Sequence, residues 1–302
     1  LDIAQLRYFL KVAELGSFTR ASEELGVSQP ALSRSIAKIE EMLGQPVFER
    51  QTRCVVLTDA GKVLQQRAFQ IVQLLDEIPR EICDDGKTGN IRIGAIPTIA
   101  PYCLPPILRK ARETFPDATW NIREDVTDRL LQACNSGELD LVIAALPVEL
   151  GYLDSKTVHE EELLVALPAH HPLAGKPELK PQDLSGEPLI MLGEGHCLSD
   201  QIDAYCRRRS IQSVHLDRTA QMATVLELVA AGQGLSFVPH MACSTTKKIL
   251  YRSMAAPVPK RKIAVIWNAY RFESKLQRGV RTLLEHFDWN LVGTCSSPPR
   301  LR

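Results

Sequence analysis

The hydrophobic period of this chain changes once, at DDGKTGN, residues 84–90. Before that point apolar residues recur at three- and four-residue spacing, the mark of amphipathic helices. Beyond it, short runs rich in Val, Ile and Leu alternate with helical segments, as in an α/β fold. Two periods in one chain call for two folding units, and a polar stretch with two glycines lets the backbone pass between them. With 302 residues, each unit can bury a core of its own.

The first part reads as three short helices and a ribbon. Ile3, Leu6, Phe9, Leu10, Val12 and Ala13 fall on one helical stripe. A second helix is expected after Ser17, with Thr19 as its N-cap, running through Ala21 and Leu25. Gly26 should end it, since glycine suits a left-handed C-cap. Ser28 then caps a third helix with Pro30 in its first turn, where a missing N–H is harmless. Leu32, Ile36 and Ile39 share one face of that helix, and Gln29, Ser33, Arg34 and Lys38 occupy others. Helix, glycine turn and polar-fronted helix form the helix-turn-helix pattern. Ser28, Gln29, Pro30, Ser33 and Arg34 make up its DNA-reading front, with short hydrogen-bonding groups and an arginine for base edges. PVFERQTRCVVLTDAG follows as a β-wing, with Arg50 and Arg53 near its tip for phosphate contacts. Taken alone, the segment also fits a helical hairpin with an unrelated exposed face.

From Thr58 to about Cys83 the pattern is one long helix. Ala60, Val63, Leu64, Ile71, Leu74, Leu75 and Ile78 form its apolar seam against Gln65, Gln66, Arg67, Gln70 and Gln73. Such a seam outside a compact domain is buried against a partner chain. Pro79 is expected to bend or end the helix early. The organisation predicted is a DNA-binding domain over residues 1–58, a linker and dimerisation helix over 59–88, and an α/β domain over 89–302.

In that last part IRIGAI, TWNIRED, LDLVIAA, LLVALP, PLIML, VHLDRTA, GLSFVP and IAVIWN read as strands. PPILRKARETF, TDRLLQACNSG and TVLELVAAG read as helices, and CSSPPRLR as a loose tail. The pattern predicts a predominantly parallel sheet, with ligand sites beyond strand ends and at helix N-termini.

Charge and cysteine usage narrow the function classes. Lys plus Arg and Asp plus Glu are balanced at 36 each, so DNA binding must come from a local patch. No apolar run approaches ~18 residues, and the first residues do not read as a signal peptide, so a cytoplasmic protein without membrane contact is expected. The eight cysteines, at 54, 83, 103, 134, 197, 206, 243 and 295, include no C-x2-C pair. No zinc framework, metal or cofactor is therefore expected, and the ordinary reading of each thiol is a buried, reduced side chain.

The stretches LRYFLKVAELGSFTRASEELGVSQPALSRSIAKIEEMLGQPVFER, LTDAG, SGELDLVIA and AAGQGLSFVP together resemble the LysR-type transcriptional regulators over nearly the full length. That resemblance implies a winged helix-turn-helix, a dimerising linker helix and an effector domain of two α/β lobes resembling periplasmic binding proteins. It places lobe I at about 89–162 and 267–295 and lobe II at about 163–266. It implies a non-enzymatic activator bound to double-stranded promoter DNA as a homodimer or homotetramer, with RNA polymerase as a further partner.

GHCLSDQ with Cys206 nine residues after Cys197, supported by IPTIAPYCLPPIL and TDRLLQACNSGELDLVIAAL, resembles the peroxide-sensing branch of that family. By this resemblance hydrogen peroxide is the signal, Cys197 is the peroxidatic cysteine and Cys206 the resolving one. Thr98, Thr127, His196, Asp200, Ser199 and Arg261 would line the pocket. Ser199 departs from the pattern, standing where an arginine is usual and leaving the thiol without that cation.

The residues carry part of this chemistry on their own. A thiolate attacks peroxide, so a sensor cysteine needs positive potential nearby. SDQIDAYCRRR reads as a short helix with Ser199 as a cap, which would set Cys197 at its positive end. The sulfenic acid formed condenses with a second thiol. Read singly, His196 is a hydrogen-bonded loop histidine, and Thr98 and Thr127 are helix caps or contacts to a carboxylate effector. The alternative is therefore a metabolite-responsive regulator that binds a small carboxylate between the lobes, with Cys206 as packing.

Overall fold

The computed structural model describes residues 1–50, 55–82, 84–193, 197–209, 211, 214–219 and 221–293. The chain divides into two units, Leu1–Cys83 and Asp84–Arg302. Arg53 at the expected wing tip, His196 and the C-terminal tail lie outside the described residues.

The first unit comprises α1 (Ile3–Leu15), α2 (Phe18–Leu25), α3 (Gln29–Leu43), β1 (Phe48–Arg50), β2 (Val55–Leu57) and α4 (Asp59–Ile82). The N-cap of α2 is Ser17, whose hydroxyl accepts from the Arg20 N–H; Thr19 lies inside the first turn, not at the cap. Ser28 caps α3 in the same way, accepting from Ala31 N. Leu6, Phe9 and Val12 from α1, Leu32, Ile36 and Ile39 from α3, and Ala68 and Val72 from α4 close one core. β1 and β2 pair antiparallel, Phe48 opposite Leu57. Glu40 ties this ribbon to α3 by accepting from Val47 N at 2.9 Å and Phe48 N at 3.3 Å. The glycine of LTDAG is explained by contact: a Cβ on Gly61 would stand 2.1 Å from the Val47 carbonyl oxygen. Pro79 does not end α4, which runs on to Ile82.

The second unit holds two cores. Its elements are β3 (Gly89–Ala95), α5 (Ala100–Thr114), β4 (Ala118–Glu124), α6 (Thr127–Ser136), β5 (Leu141–Leu146), β6 (Leu153–Pro168), β7 (Glu178–Leu179), β8 (Pro188–Leu192), α7 (Cys197–Arg208), β9 (Val214–Thr219), α8 (Met222–Ala230), β10 (Ser236–Pro239), β11 (Ile249–Met254), β12 (Lys260–Asn268) and α9 (Lys275–His286). The first lobe is built on the strand order β4-β3-β5-β12 and the second on β6 with β10 and β11, beside the β8-β9 pair. Strand β6 serves both lobes: Leu153 to Glu162 pair with β12, and Leu163 to Pro168 with β10 and β11.

This topology corrects the expectation of a predominantly parallel sheet. β12 runs antiparallel to both β5 and β6, and β10 and β11 run antiparallel to β6. The chain leaves the first lobe on β6 and returns on β12, so these two passages must point in opposite directions. The return also comes earlier than expected. Ile263 to Ile266 belong to the first lobe's core, not to the second lobe, because they pair with β5. Helix α5 begins at Ala100 and contains Pro105 and Pro106 rather than starting at them.

Candidate functional site

Helix α7 presents two faces to two environments. Leu198, Ser199, Ile202 and Cys206 are buried, and the apolar three belong to the second lobe's core. Cys197, Asp200, Gln201, Ala204, Tyr205 and Arg208 form the opposite stripe, at i, i+3, i+4, i+7, i+8 and i+11, and line a cavity of about 460 Å³. Leu146, Pro147 and Pro257 to Lys260 close it from across the lobe junction. Cys197 packs against the first lobe's core, and Cys206 lies inside the second's. The two thiols of one helix therefore sit in different lobes' surroundings, and both are free.

Burial raises the Cys197 thiol above its ordinary pKa, while the Thr127 hydroxyl, the Arg261 guanidinium and the Ala145 backbone act in the opposite direction. Thr127 Oγ1 approaches the sulfur but meets full hydrogen-bond geometry with no protein atom. It stands at the first position of α6, whose N-cap is Val126, so it does not cap that helix. Burial pushes the Cys206 thiol up as well, to about 11. Burial at Cys197 thus opposes the lowering that a sensor thiol needs.

Arg261 is 1% exposed. Its Nε donates to Glu161 Oε1 at 2.8 Å, Nη1 to Thr98 Oγ1 at 2.9 Å and Nη2 to the Thr98 carbonyl at 3.1 Å. Glu161 Oε2 accepts from the Met241 N–H at 2.8 Å. A buried charge is tolerable only when paired and hydrogen-bonded on all sides, as here. The arrangement uses the Thr98 hydroxyl as an acceptor, so Thr98 is not a helix cap either. Glu161 was not legible as a site residue: it sits in a run of three glutamates, HEEELL, and only the strand pairing turns it inward opposite Arg261.

Ser199 is corrected in two ways. It lies in the first turn of α7, not at its cap, since the helix already starts at Cys197. Its hydroxyl donates to the Leu192 carbonyl at 2.8 Å, on the core side of the helix and away from the cavity. Asp200 is exposed and borders the cavity. Gln201, not anticipated from the sequence, donates from Nε2 to the Leu146 carbonyl at 2.8 Å. No group of three His, Cys, Asp or Glu side chains among the described residues is placed to hold a metal. No helix among them is long and apolar enough to cross a membrane.

In the first unit, Ser28, Gln29, Pro30 and Arg34 are exposed on α3, with Ser33 half-buried beside them. Arg34 makes no ion pair among the described residues. Arg50 ends β1. A helix-turn-helix with a wing, followed by a two-lobed α/β domain with a polar site at the lobe junction, defines a ligand- or signal-responsive regulator of transcription.

Comparison with known proteins agrees. The model of the bacterial regulatory helix-turn-helix protein, lysR family, matches residues 3–62, and that of the LysR substrate binding domain matches residues 84–288. The chain belongs to the LysR family of bacterial transcriptional regulators, which are not enzymes. Within that family its relatives are hydrogen peroxide-inducible genes activators, OxyR among them. It is 35% identical over 288 residues to the probable hydrogen peroxide-inducible genes activator of Mycobacterium leprae (strain TN), covering 93% of each chain. It is 33% identical to the DNA-binding transcriptional dual regulator OxyR of Escherichia coli (strain K12), over 95% of this chain and 98% of that one. A full-length OxyR variant from Pseudomonas aeruginosa superposes with a TM-score of 0.77 at 30% identity, covering 94% of this chain and 93% of that one.

Proposed function

We propose that this regulator responds to hydrogen peroxide through oxidation of Cys197 and a disulfide to Cys206, and that it acts on promoter DNA as a homodimer or homotetramer. The observation that carries the reading is the placement of both thiols on opposite faces of α7, one toward each lobe. A relative from Corynebacterium glutamicum, 31% identical, has been solved with H2O2 bound, which supports the choice of signal. RNA polymerase is the further partner such an activator requires.

The chemistry proceeds in two balanced steps. The Cys197 thiolate attacks one peroxide oxygen, the O–O bond breaks, and the other oxygen leaves as hydroxide. That hydroxide takes the proton lost by the thiol, giving water and a sulfenic acid at Cys197. The Cys206 thiol then displaces the sulfenic oxygen, so an S–S bond forms, the S–O bond breaks and a second water leaves. Thr127, Ala145 and Arg261 favour the reactive thiolate, and Thr98 and Glu161 hold Arg261 in place. Asp200 borders the same cavity.

Nine residues along an α-helix advance ~13.5 Å, whereas a disulfide needs Cα atoms within ~7 Å. With α7 continuous from Cys197 to Arg208 the bond cannot form. Oxidation must unwind α7, and the bond then locks the rebuilt segment, a switch of the order–disorder kind. The test is peptide mass spectrometry after rapid alkylation, with hydrogen exchange on the same segment. One equivalent of peroxide should yield the Cys197–Cys206 bond and loss of protection over residues 199–206. Cys206→Ser should leave a sulfenic acid at Cys197. Oxidation of Cys197 no faster than that of Cys103 or Cys243 would overturn the reading.

The cavity of about 460 Å³ beside Cys197 supports the second reading, a small carboxylate effector, because Arg208 and Lys260 border it and its size is that of small-molecule sites. Under that reading peroxide leaves the Cys197–Cys206 pair reduced.

A further inference from the structure

We propose that Gln201 is a positioning residue for the Cys197 thiol: its amide latches α7 of the second lobe onto the Leu146 carbonyl of the first. The inference rests on the redox reading only for the importance of Cys197. The Nε2–O distance is 2.8 Å. Only the nitrogen end of a carboxamide can serve a carbonyl, which fixes how the amide is turned. The other end, Oε1, is buried with no partner among the described residues, so the latch is the amide's one satisfied contact.

Three placements make this bond a control on the thiol. Gln201 follows Cys197 by four residues, so both lie on the same face of α7 about one turn apart. Leu146 follows Ala145, whose backbone faces the Cys197 sulfur. The last two residues of β5 thus receive both the latch and the thiol. Finally, the other side-chain anchor of the helix's first turn, Ser199 to Leu192, stays within the second lobe. Ser199 can hold α7 to its own core but cannot hold Cys197 against the first lobe. Gln201 makes a hydrogen bond of full geometry that bridges α7 to the first lobe.

The direction of the effect follows from what surrounds the sulfur. Burial is the largest influence on Cys197 and disfavours its thiolate; Thr127, Arg261 and Ala145 act against it more weakly. Releasing the latch lets the helix start move off the first lobe, removing all of these together. The net change is toward an ordinary, solvated cysteine. Gln201 therefore keeps the half-buried thiol against the first lobe and sets how readily it reacts.

The test needs no peroxide. The reduced full-length protein is alkylated with iodoacetamide from pH 6 to 10, and the rate at Cys197 is followed by peptide mass spectrometry. Gln201→Leu and Gln201→Met, both without a donor, should move the midpoint down toward the ordinary cysteine value and raise the rate at pH 7 by about threefold to tenfold. Ser199→Ala should leave the midpoint where it is. Melting temperatures of all variants show that the fold is kept. A midpoint unchanged or raised in both Gln201 variants overturns the proposal. So does an equal downward shift in Ser199→Ala, which would assign the effect to helix packing in general. A downward shift in the Gln201 variants, in a protein whose Cys197 and Cys206 stay reduced under peroxide, keeps the latch and removes the redox reading.

Discussion

Arg261 shows how far a single side chain can tie a structure together. It is fully buried, and it joins Thr98 of the first lobe to Glu161 on the strand that crosses between lobes. Removing one member of a buried ion pair leaves the other charge unpaired, at a cost of about 3–5 kcal/mol. Arg261→Leu should therefore lower stability by that order in urea unfolding of the full-length chain, and Glu161→Leu should do the same. The double variant should recover much of the loss, since it removes both charges. Cys206 gives a pH signature. Its folded pKa of about 11 lies above the ordinary 9.0. The folded state thus holds the proton more tightly, and this contribution is complete below pH 9 and lost as pH rises toward 11. Cys206→Ala should show a flatter stability profile between pH 9 and 11 than the parent in chemical denaturation. Arg261 was legible as a candidate from its place in PKRKIAVIW, but its partners were not. They are 100 and 163 residues away, and only strand pairing brings them to it.

At the level of the element, α4 divides the apolar seam read from the sequence into two. Leu64 packs with the core of its own domain, beside buried Ala68 and Val72. Val63, Ile71, Leu74 and Ile78 remain exposed, from 42% to 62%. Their spacing of eight, three and four residues makes one stripe, and an exposed apolar stripe of this length marks an association surface. Ile71→Asp with Leu74→Asp should shift the protein from dimer to monomer in sedimentation while keeping its melting temperature. Leu64→Asp should instead destabilise the DNA-binding domain itself. Helix α7 was legible as a helix because its polar and apolar residues alternate at helical spacing. Its start was not. Cys197 and Leu198 read as loop before Ser199, yet they are the first residues of the helix because Leu198 is buried in the second lobe. Strand β11, ILYRSM, carries too little alternation to be read, and its pairing with β6 and β7 establishes it.

For the whole molecule, net charge is zero, so recognition of DNA must come from where the charges stand. Arg34 is exposed on α3 and has no ion-pair partner among the described residues, which suits it to a phosphate or base edge. Arg34→Ala should weaken binding and reduce the slope of log affinity against log salt by about one. An unchanged slope in filter binding at several salt concentrations would remove Arg34 from the interface. The sequence by itself determined the two-part organisation and the helix-turn-helix, and it singled out Cys197 and Cys206 as the candidate thiols. Those features are local: a hydrophobic period, a cap, a glycine turn and a cysteine spacing are all written in neighbouring residues. Only the tertiary structure decided that β12 returns antiparallel, that Ser199 faces the core, that Glu161 holds Arg261, and that Gln201 bridges the lobes. Apart from Ser199, whose partner Leu192 is close in sequence, each of these depends on residues far apart in the chain being brought within hydrogen-bond distance, and strand order fixes that, not the order of residues along the chain.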